Sequence, residues 1–243
     1  MAWIRWRRKP TRFVIAGTPR SGTTWLVSAL NAHPDVFCAG ELLDDPHLAD
    51  NPRFAADPWA GLPKVFESSL GNKAAVGFKI FYFHCWDYHK EHAAIWDRLR
   101  DDTDLRVIHF TRTNLLRLVL SWEMARKTDR WALGAGDAPI VDAPRCMLPV
   151  PELLRKFSEV ETGLERMRDV FQRHHQFSLT YETLFADTER AMGEVEAFIG
   201  VQRRFVRGAQ RKQETRTLRE AIANYDEVAA ALSATRYAHF LEP

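Results

Sequence analysis

No stretch of the 243-residue sequence approaches the ~20 consecutive apolar residues that a membrane-spanning helix needs, so a spanning role is not expected. Charge of one sign is also lacking. Lys and Arg number 34 against 32 Asp and Glu, and a formal net charge of +2 carries no bulk electrostatic demand for nucleic acid. Cysteine is scarce: Cys38, Cys85 and Cys146 are odd in number and widely spaced. They form neither a disulfide framework nor a metal knuckle and fit a reducing compartment, which predicts a cytoplasmic protein. There is no internal repeat and no low-complexity linker. The opening residues, MAWIRWRRKPTR, have no apolar core and so do not read as a secretory signal. Residues 1–11 read instead as a solvated basic lead-in. The alternative is a peripheral contact of Trp3, Trp6, Arg5, Arg7, Arg8 and Lys9 with an acidic inner membrane face. What remains is ordinary for a globular protein, 46% hydrophobic and 27% charged, and the length suits one domain spanning residues 1–243.

The chain is organised around residues 13–30, FVIAGTPRSGTTWLVSAL. Phe13 to Ala16 is a short apolar run suited to a buried strand. Gly17-Thr18-Pro19 interrupts it, and from Gly22 the apolar residues suit a buried helix. Strand, tight polar loop and helix in that order aim several backbone N–H groups and the positive end of a helix at one point, which suits a phosphate-like anion. Gly17 and Gly22 have the spacing of a Walker loop, but Thr23 stands where such a loop has Lys. Arg20, inside the loop, supplies the cation.

Downstream, Val36 to Ala39 reads as a second strand, with Glu41 just past its end, on the edge where parallel α/β sheets hold ligands. Residues 44–73 have no clean period. Ala74 to Phe83 reads as a third strand with Lys79 inside it; the lysine either snorkels to solvent or faces the anion site. His84, His89 and His92 follow, at spacings that match no zinc pattern. Leu105 to Phe110 is a fourth strand running into Arg112, and Leu115 to Lys127 is a helix capped by Asn114. Residues 128–150 read as a loop, either a lid or an acceptor-binding segment. A long helix begins at Pro151, Phe177 to Thr180 is a fifth strand ending at Tyr181-Glu182, and Asp187 to Ile199 is a helix stopped by Gly200. A basic stretch containing Arg211 and Lys212 precedes a single helix over roughly Thr215 to Leu232. The alternation predicts an α/β fold, a P-loop-like three-layer α/β/α arrangement around a mainly parallel sheet of about five strands. No Asp closes any apolar run, which weakens a magnesium-dependent kinase or triphosphatase, the nearest rival; a non-catalytic nucleotide-binding scaffold is the other.

Four segments together resemble the sulfotransferases that use 3′-phosphoadenosine 5′-phosphosulfate. TPRSGTTWL (18–26) resembles that family's 5′-phosphosulfate loop, and VIHFTRTNLLRLVLSWE (107–123) its 3′-phosphate motif. LTYETLFADTERAMGEVEAFIGV (179–201) resembles its Tyr-Glu-x-Leu segment. GELL (40–43) and VGFKI (76–80) resemble the bacterial and carbohydrate-type branch. Residues 18–26 lack the loop Lys of the aryl and steroid members, and the chain lacks their Lys-Thr-His motif, so the resemblance is closer to members with a carboxylate base. It implies sulfuryl transfer without a metal from that donor to a hydroxyl on a sugar, glycolipid or natural product. The carry-over assigns Arg20, Ser21, Gly22, Thr23 and Thr24 to the phosphosulfate, Arg112 and Ser121 to the 3′-phosphate, and Trp25 to the donor pocket. Tyr181 and Lys212 complete the donor pocket. Glu41 is the general base with His84 as alternative, and Lys79 stabilises the transferring group.

Overall fold

A computed structural model describes residues 9–51, 56–67, 73–132, 134, 136–137, 143–210 and 215–242. The elements run in the order β1 (Thr11–Gly17), α1 (Thr23–Asn31), β2 (Val36–Glu41), α2 (Asp45–Asp50), α3 (Pro58–Glu67), β3 (Ala75–Phe81), α4 (Ala94–Asp101), β4 (Arg106–Thr111), α5 (Leu115–Thr128), α6 (Val150–Phe171), β5 (Gln176–Thr180), α7 (Tyr181–Ala186), α8 (Thr188–Ile199), α9 (Leu218–Ala221) and α10 (Tyr225–Ser233). The strands form one all-parallel sheet in the order β2-β3-β1-β4-β5. β1 is central because it is apolar on both faces, as a strand covered by helices on both sides must be. Val14 and Ala16 join Phe78, Ile80 and Val107 beneath α4 and α6, where Trp96, Leu99, Met167 and Phe171 pack. Phe13 and Ile15 join Ile108, Phe110 and Leu179 beneath α1 and α8, through Leu26, Leu30, Met192 and Ile199. The fold is the expected P-loop-like α/β/α sandwich. A third apolar cluster joins α5 and α6 to the C-terminal segment through Leu116, Leu120, Phe157, Ile222, Leu232 and Phe240.

Several boundaries depart from the sequence reading; β3, for one, stops at Phe81, two residues short of the expected Phe83. Thr11, taken as part of the lead-in, already belongs to β1. Glu41 is the last residue of β2 rather than a residue beyond it: a register irregularity between Cys38 and Glu41, with Gly40 at φ +77°, extends the pairing so that Glu41 lies opposite Lys79 of β3. The single helix expected over Thr215 to Leu232 is broken into α9 and α10. Cys146 inserts a bridge there: its N–H donates to the Ala221 carbonyl at 2.8 Å and its carbonyl accepts from the Ala223 N–H at 2.8 Å. Asn224 then closes on Leu148, accepting its N–H and donating to its carbonyl, each at 3.0 Å. Tertiary pairing overrides a helical pattern that has no cap of its own at that point. No helix among the described residues is long and apolar enough to cross a membrane.

The topology sets the site. After β1 the chain crosses to α1 on one face, and after β4 it continues to α5 and α6 on the other side of the sheet. The crevice between the carboxyl ends of β1 and β4 is therefore a switch point, where open α/β sheets bind ligands. Arg20 follows one strand and Arg112 the other.

Candidate active site

The loop after β1 is built to be tight. A Cβ on Gly17 would lie 2.1 Å from the Phe110 carbonyl oxygen, so only glycine lets β1 run this close to β4. Arg20 at φ +65° and Gly22 at φ +87° both take the left-handed conformation that folds the loop back on itself. Thr18 and Ser21 are buried; their hydroxyls bond to one another, and Ser21 Oγ donates to the Thr18 carbonyl at 2.5 Å. The Ser21 hydroxyl is thus committed to shaping the loop, and what the loop has to offer a ligand is backbone. Gly22 caps α1 with no side-chain hydrogen bond, and the first turn of α1 holds no acidic residue. The leading N–H groups of a nine-residue helix therefore point at the crevice without a capping carboxylate.

Two guanidinium groups converge on that crevice. Arg20 Nε donates to Ser121 Oγ on α5 at 3.1 Å, and its Nη1 reaches the Trp131 carbonyl. Burial, and then the neighbouring charge of Arg112, lower the Arg20 pKa to about 10. Arg112 is buried, its guanidinium lies 4.4 Å from the centre of the Tyr181 ring, and its Nε has no hydrogen-bond partner. Burial is also the main cause of its lowered pKa. Two cations held this close, with a buried donor left over, are unfavourable without an anion between them.

Glu182 holds Arg112 in position. Its carboxylate accepts the Thr113 N–H at 3.0 Å and the Asn114 N–H at 3.2 Å, fixing the turn that carries Arg112. Asn114 caps α5 as expected, accepting the Arg117 N–H at 3.0 Å. The sequence reading noticed Glu182 only as the neighbour of Tyr181. Its place immediately after a strand end was the available signal, since that edge is where β4 also delivers Arg112.

On the other side of the loop, Lys79 is 5% exposed and faces inward rather than snorkelling. Its ammonium donates to Thr24 Oγ1 at 3.2 Å and pairs with Glu41 Oε1 at 2.7 Å. One cation thus ties the loop after β1 to the carboxylate. His84 Nε2 stands 3.9 Å from Glu41 Oε2. Its Nδ1 accepts the Phe81 N–H at 3.2 Å, so in the neutral ring the proton sits on Nε2.

The structure thus brings Thr24, Lys79 and Glu41 together on one side of the loop, and Arg20, Ser121, Arg112 and Tyr181 on the other. Thr23 is buried beneath the helix start, whereas Thr24 presents its hydroxyl to Lys79. Trp25 packs edge-on against Phe185 at 5.3 Å, and Phe185 against Tyr181 at 4.5 Å, so these rings form a wall beside Gly22. Lys212 lies outside the described residues. No group of three or more His, Cys, Asp or Glu among the described residues is arranged to hold a metal.

Comparison with known proteins adds five findings. A family model described as the sulfotransferase family matches residues 11–101. Nodulation protein H of Rhizobium tropici is 30% identical over 244 residues, covering 96% of this chain and 94% of its own. Nodulation protein H of Rhizobium meliloti (strain 1021) is 28% identical over 241 residues, covering 96% of each. Among solved structures, a sulfotransferase from Alicyclobacillus acidocaldarius superposes with a TM-score of 0.49 at 18% identity over 96% of both chains. A mouse sulfotransferase complexed with PAP does so with a TM-score of 0.45 at 13% identity, covering 82% of this chain and 61% of that one.

Proposed function

The chain belongs to the sulfotransferase family, and from that premise we propose that it moves a sulfuryl group from 3′-phosphoadenosine 5′-phosphosulfate to an acceptor hydroxyl, through a single domain spanning residues 1–243. The observation that carries the choice of donor is the pair Arg20 and Arg112, two guanidiniums beside one another with Arg112 Nε orphaned. A donor with separate 5′ and 3′ anions supplies a negative charge to each. The phosphosulfate rests on the backbone of Ser21 to Thr24 and on Arg20. The 3′-phosphate lies against Arg112 and Ser121, Trp25 and Tyr181 line the donor pocket, and Lys212 is assigned to that pocket on the family resemblance.

Transfer is an in-line displacement. The acceptor oxygen forms a bond to sulfur as the bond from sulfur to the bridging phosphate oxygen breaks. The acceptor proton passes to Glu41, and adenosine 3′,5′-bisphosphate leaves with the electron pair. Lys79 stands between Thr24 and Glu41 and stabilises charge on the moving group, while Arg20 stabilises it on the departing phosphate. Positioning and electrostatics suffice for such a step, so no metal is assigned to it. Glu41 is the better base than His84, because the accepting nitrogen of His84 is occupied by the Phe81 N–H. The acceptor is a hydroxyl on a sugar, glycolipid or natural product. A cytoplasmic enzyme fits the three buried cysteines, none of them in a disulfide.

The test is Arg112→Ala. Its affinity for adenosine 3′,5′-bisphosphate, read by titration calorimetry, is expected to fall about 10- to 100-fold, the loss of a charge-assisted pair. Its affinity for adenosine 5′-phosphate changes little. An equal loss for both ligands contradicts the 3′-phosphate role.

A further inference from the structure

Between α8 and α9 the chain runs through residues 201–209 as neither helix nor strand, yet it is pinned along its length. The Gln202 carbonyl meets His33 Nε2 at 2.9 Å, and the Arg204 N–H donates to Glu196 Oε2 at 2.9 Å. Val206 is buried in the cluster beneath α1 and α8. A Cβ on Gly208 would lie 2.5 Å from the Trp25 ring, and the Ala209 N–H donates to Ser28 Oγ at 2.9 Å. Glu196 is fully buried and its Oε1 has no hydrogen-bond partner. A carboxylate held this way costs stability, and its one visible task is to fix this strap.

The strap holds out cations and one aromatic ring. Phe205 is 64% exposed although the backbone on either side of it is anchored, at the Arg204 N–H and at Val206. Its display is therefore a product of fixed backbone. Arg203, Arg204 and Arg207 are exposed as well, and the Arg207 guanidinium lies 4.9 Å from the centre of the Phe205 ring. Arg203 pairs with Glu189 at 3.2 Å, and on the adjoining helix Arg190 pairs with Glu194 at 2.9 Å. Among the described residues Arg204 and Arg207 have no carboxylate partner. The strap also starts beside the entry to β1. A Cβ on Gly200 would lie 3.5 Å from Thr11 Oγ1, and the sequence entering there is the basic lead-in that ends at the exposed Lys9. At its other end the sequence continues into Arg211 and Lys212.

We propose that this strap is a docking surface for an acidic phospholipid bilayer, with Arg204 and Arg207 at the headgroup phosphates and the Phe205 ring lodged between the headgroups. The proposal stands apart from the sulfuryl-transfer reading, since none of these residues is assigned to the donor or the reaction. Charge complementarity selects an anionic partner, and the ring selects a bilayer among anionic partners. Single-stranded nucleic acid is held by several aromatic faces in series along a basic groove. The strap offers one ring, with Arg207 across one of its faces. A bilayer surface asks only for an apolar side chain flanked by cations.

The test is co-sedimentation of the full chain with vesicles of phosphatidylcholine alone and of phosphatidylcholine with about a quarter phosphatidylglycerol. The chain is expected to sediment with the acidic vesicles, not with the neutral ones, and to be released as sodium chloride rises from about 50 to about 500 mM. The double substitution Arg204→Gln and Arg207→Gln is expected to weaken partitioning about 25-fold, roughly fivefold for each charge. Phe205→Ser is expected to weaken it about threefold or more. The double substitution Arg204→Lys and Arg207→Lys keeps the charge and is expected to bind within about twofold of the parent. All these side chains are exposed, so Tm should stay within about 2 °C of the parent. No sedimentation with acidic vesicles, equal sedimentation with both kinds, or indifference to salt overturns the proposal. So do Gln variants that bind as the parent does, which would leave the contact to the lead-in, and Lys variants that bind as weakly as the Gln ones. Tighter binding of a single-stranded oligonucleotide than of acidic vesicles at the same salt overturns the choice of a bilayer and with it the proposal.

Discussion

Glu41 and Lys79 illustrate how little a residue's type says until its neighbours are known. A lysine inside an apolar strand is costly unless its ammonium is paired. Here it is paired twice, with Glu41 and with Thr24. The strand register makes this happen: the irregularity at Gly40 brings Glu41 opposite Lys79, and without it the carboxylate would be displaced along the sheet edge. Glu41→Gln keeps an oxygen that accepts from Lys79, so the variant should fold and bind adenosine 3′,5′-bisphosphate as the parent does. It no longer accepts the acceptor's proton. Turnover is expected to fall about 10²- to 10⁴-fold, the usual worth of a general base, as read by steady-state kinetics alongside calorimetry. A rate within a few-fold of the parent transfers the role to another group, His84 first, despite its occupied Nδ1.

At the scale of elements, each group assigned to a phosphate is the product of a short joint between a strand and a helix. The β4–α5 joint carries Arg112, and it is held by a residue from the β5–α7 joint, Glu182, through two bonds to backbone N–H groups. Hydrogen bonds to a charged group contribute about 1.5 to 3 kcal/mol each. Glu182→Gln retains one accepting oxygen and loses the charge and the second bond. It is expected to lower unfolding stability by about 1 to 3 kcal/mol in urea titration and to weaken bisphosphate binding although Glu182 is assigned no contact with the ligand. Unchanged binding with lowered stability would leave Glu182 a purely structural cap. This joint also marks what sequence could and could not disclose. The strand cores were legible because buried parallel strands are short apolar runs bounded by turn residues, and Arg20, Arg112 and Glu41 were legible because they follow such runs. Glu182 on Thr113, Cys146 between Ala221 and Ala223, and Gly163 beneath Tyr82 were not, because each joins segments tens of residues apart and leaves no local periodicity. The same cause split α9 from α10, where a helical pattern met a distant backbone that paired with it.

At the scale of the whole molecule, the sheet order puts β1 and β4 side by side although β2 and β3 intervene in the chain. Neighbours in the sheet therefore deliver Arg20 and Arg112 from sites 92 residues apart in sequence, and their charges repel one another across a short gap. A ligand with two anionic groups removes that repulsion at both ends and links the loop after β1, the joint after β4 and α7 into one unit. A triphosphate places its charges in a single chain and leaves Arg112 without a partner. Ligand that binds only the folded state stabilises it by an amount set by its concentration relative to Kd, about 2.7 kcal/mol at a hundredfold excess over Kd. For a chain of this size that corresponds to a rise in Tm of about 5 to 11 °C. Adenosine 3′,5′-bisphosphate is therefore expected to raise Tm by several degrees at concentrations where ATP with magnesium does not, as followed by differential scanning fluorimetry across matched ligand series. A larger shift with magnesium and ATP would reverse the assignment of the crevice, because it would mean that the two guanidiniums serve one contiguous polyphosphate.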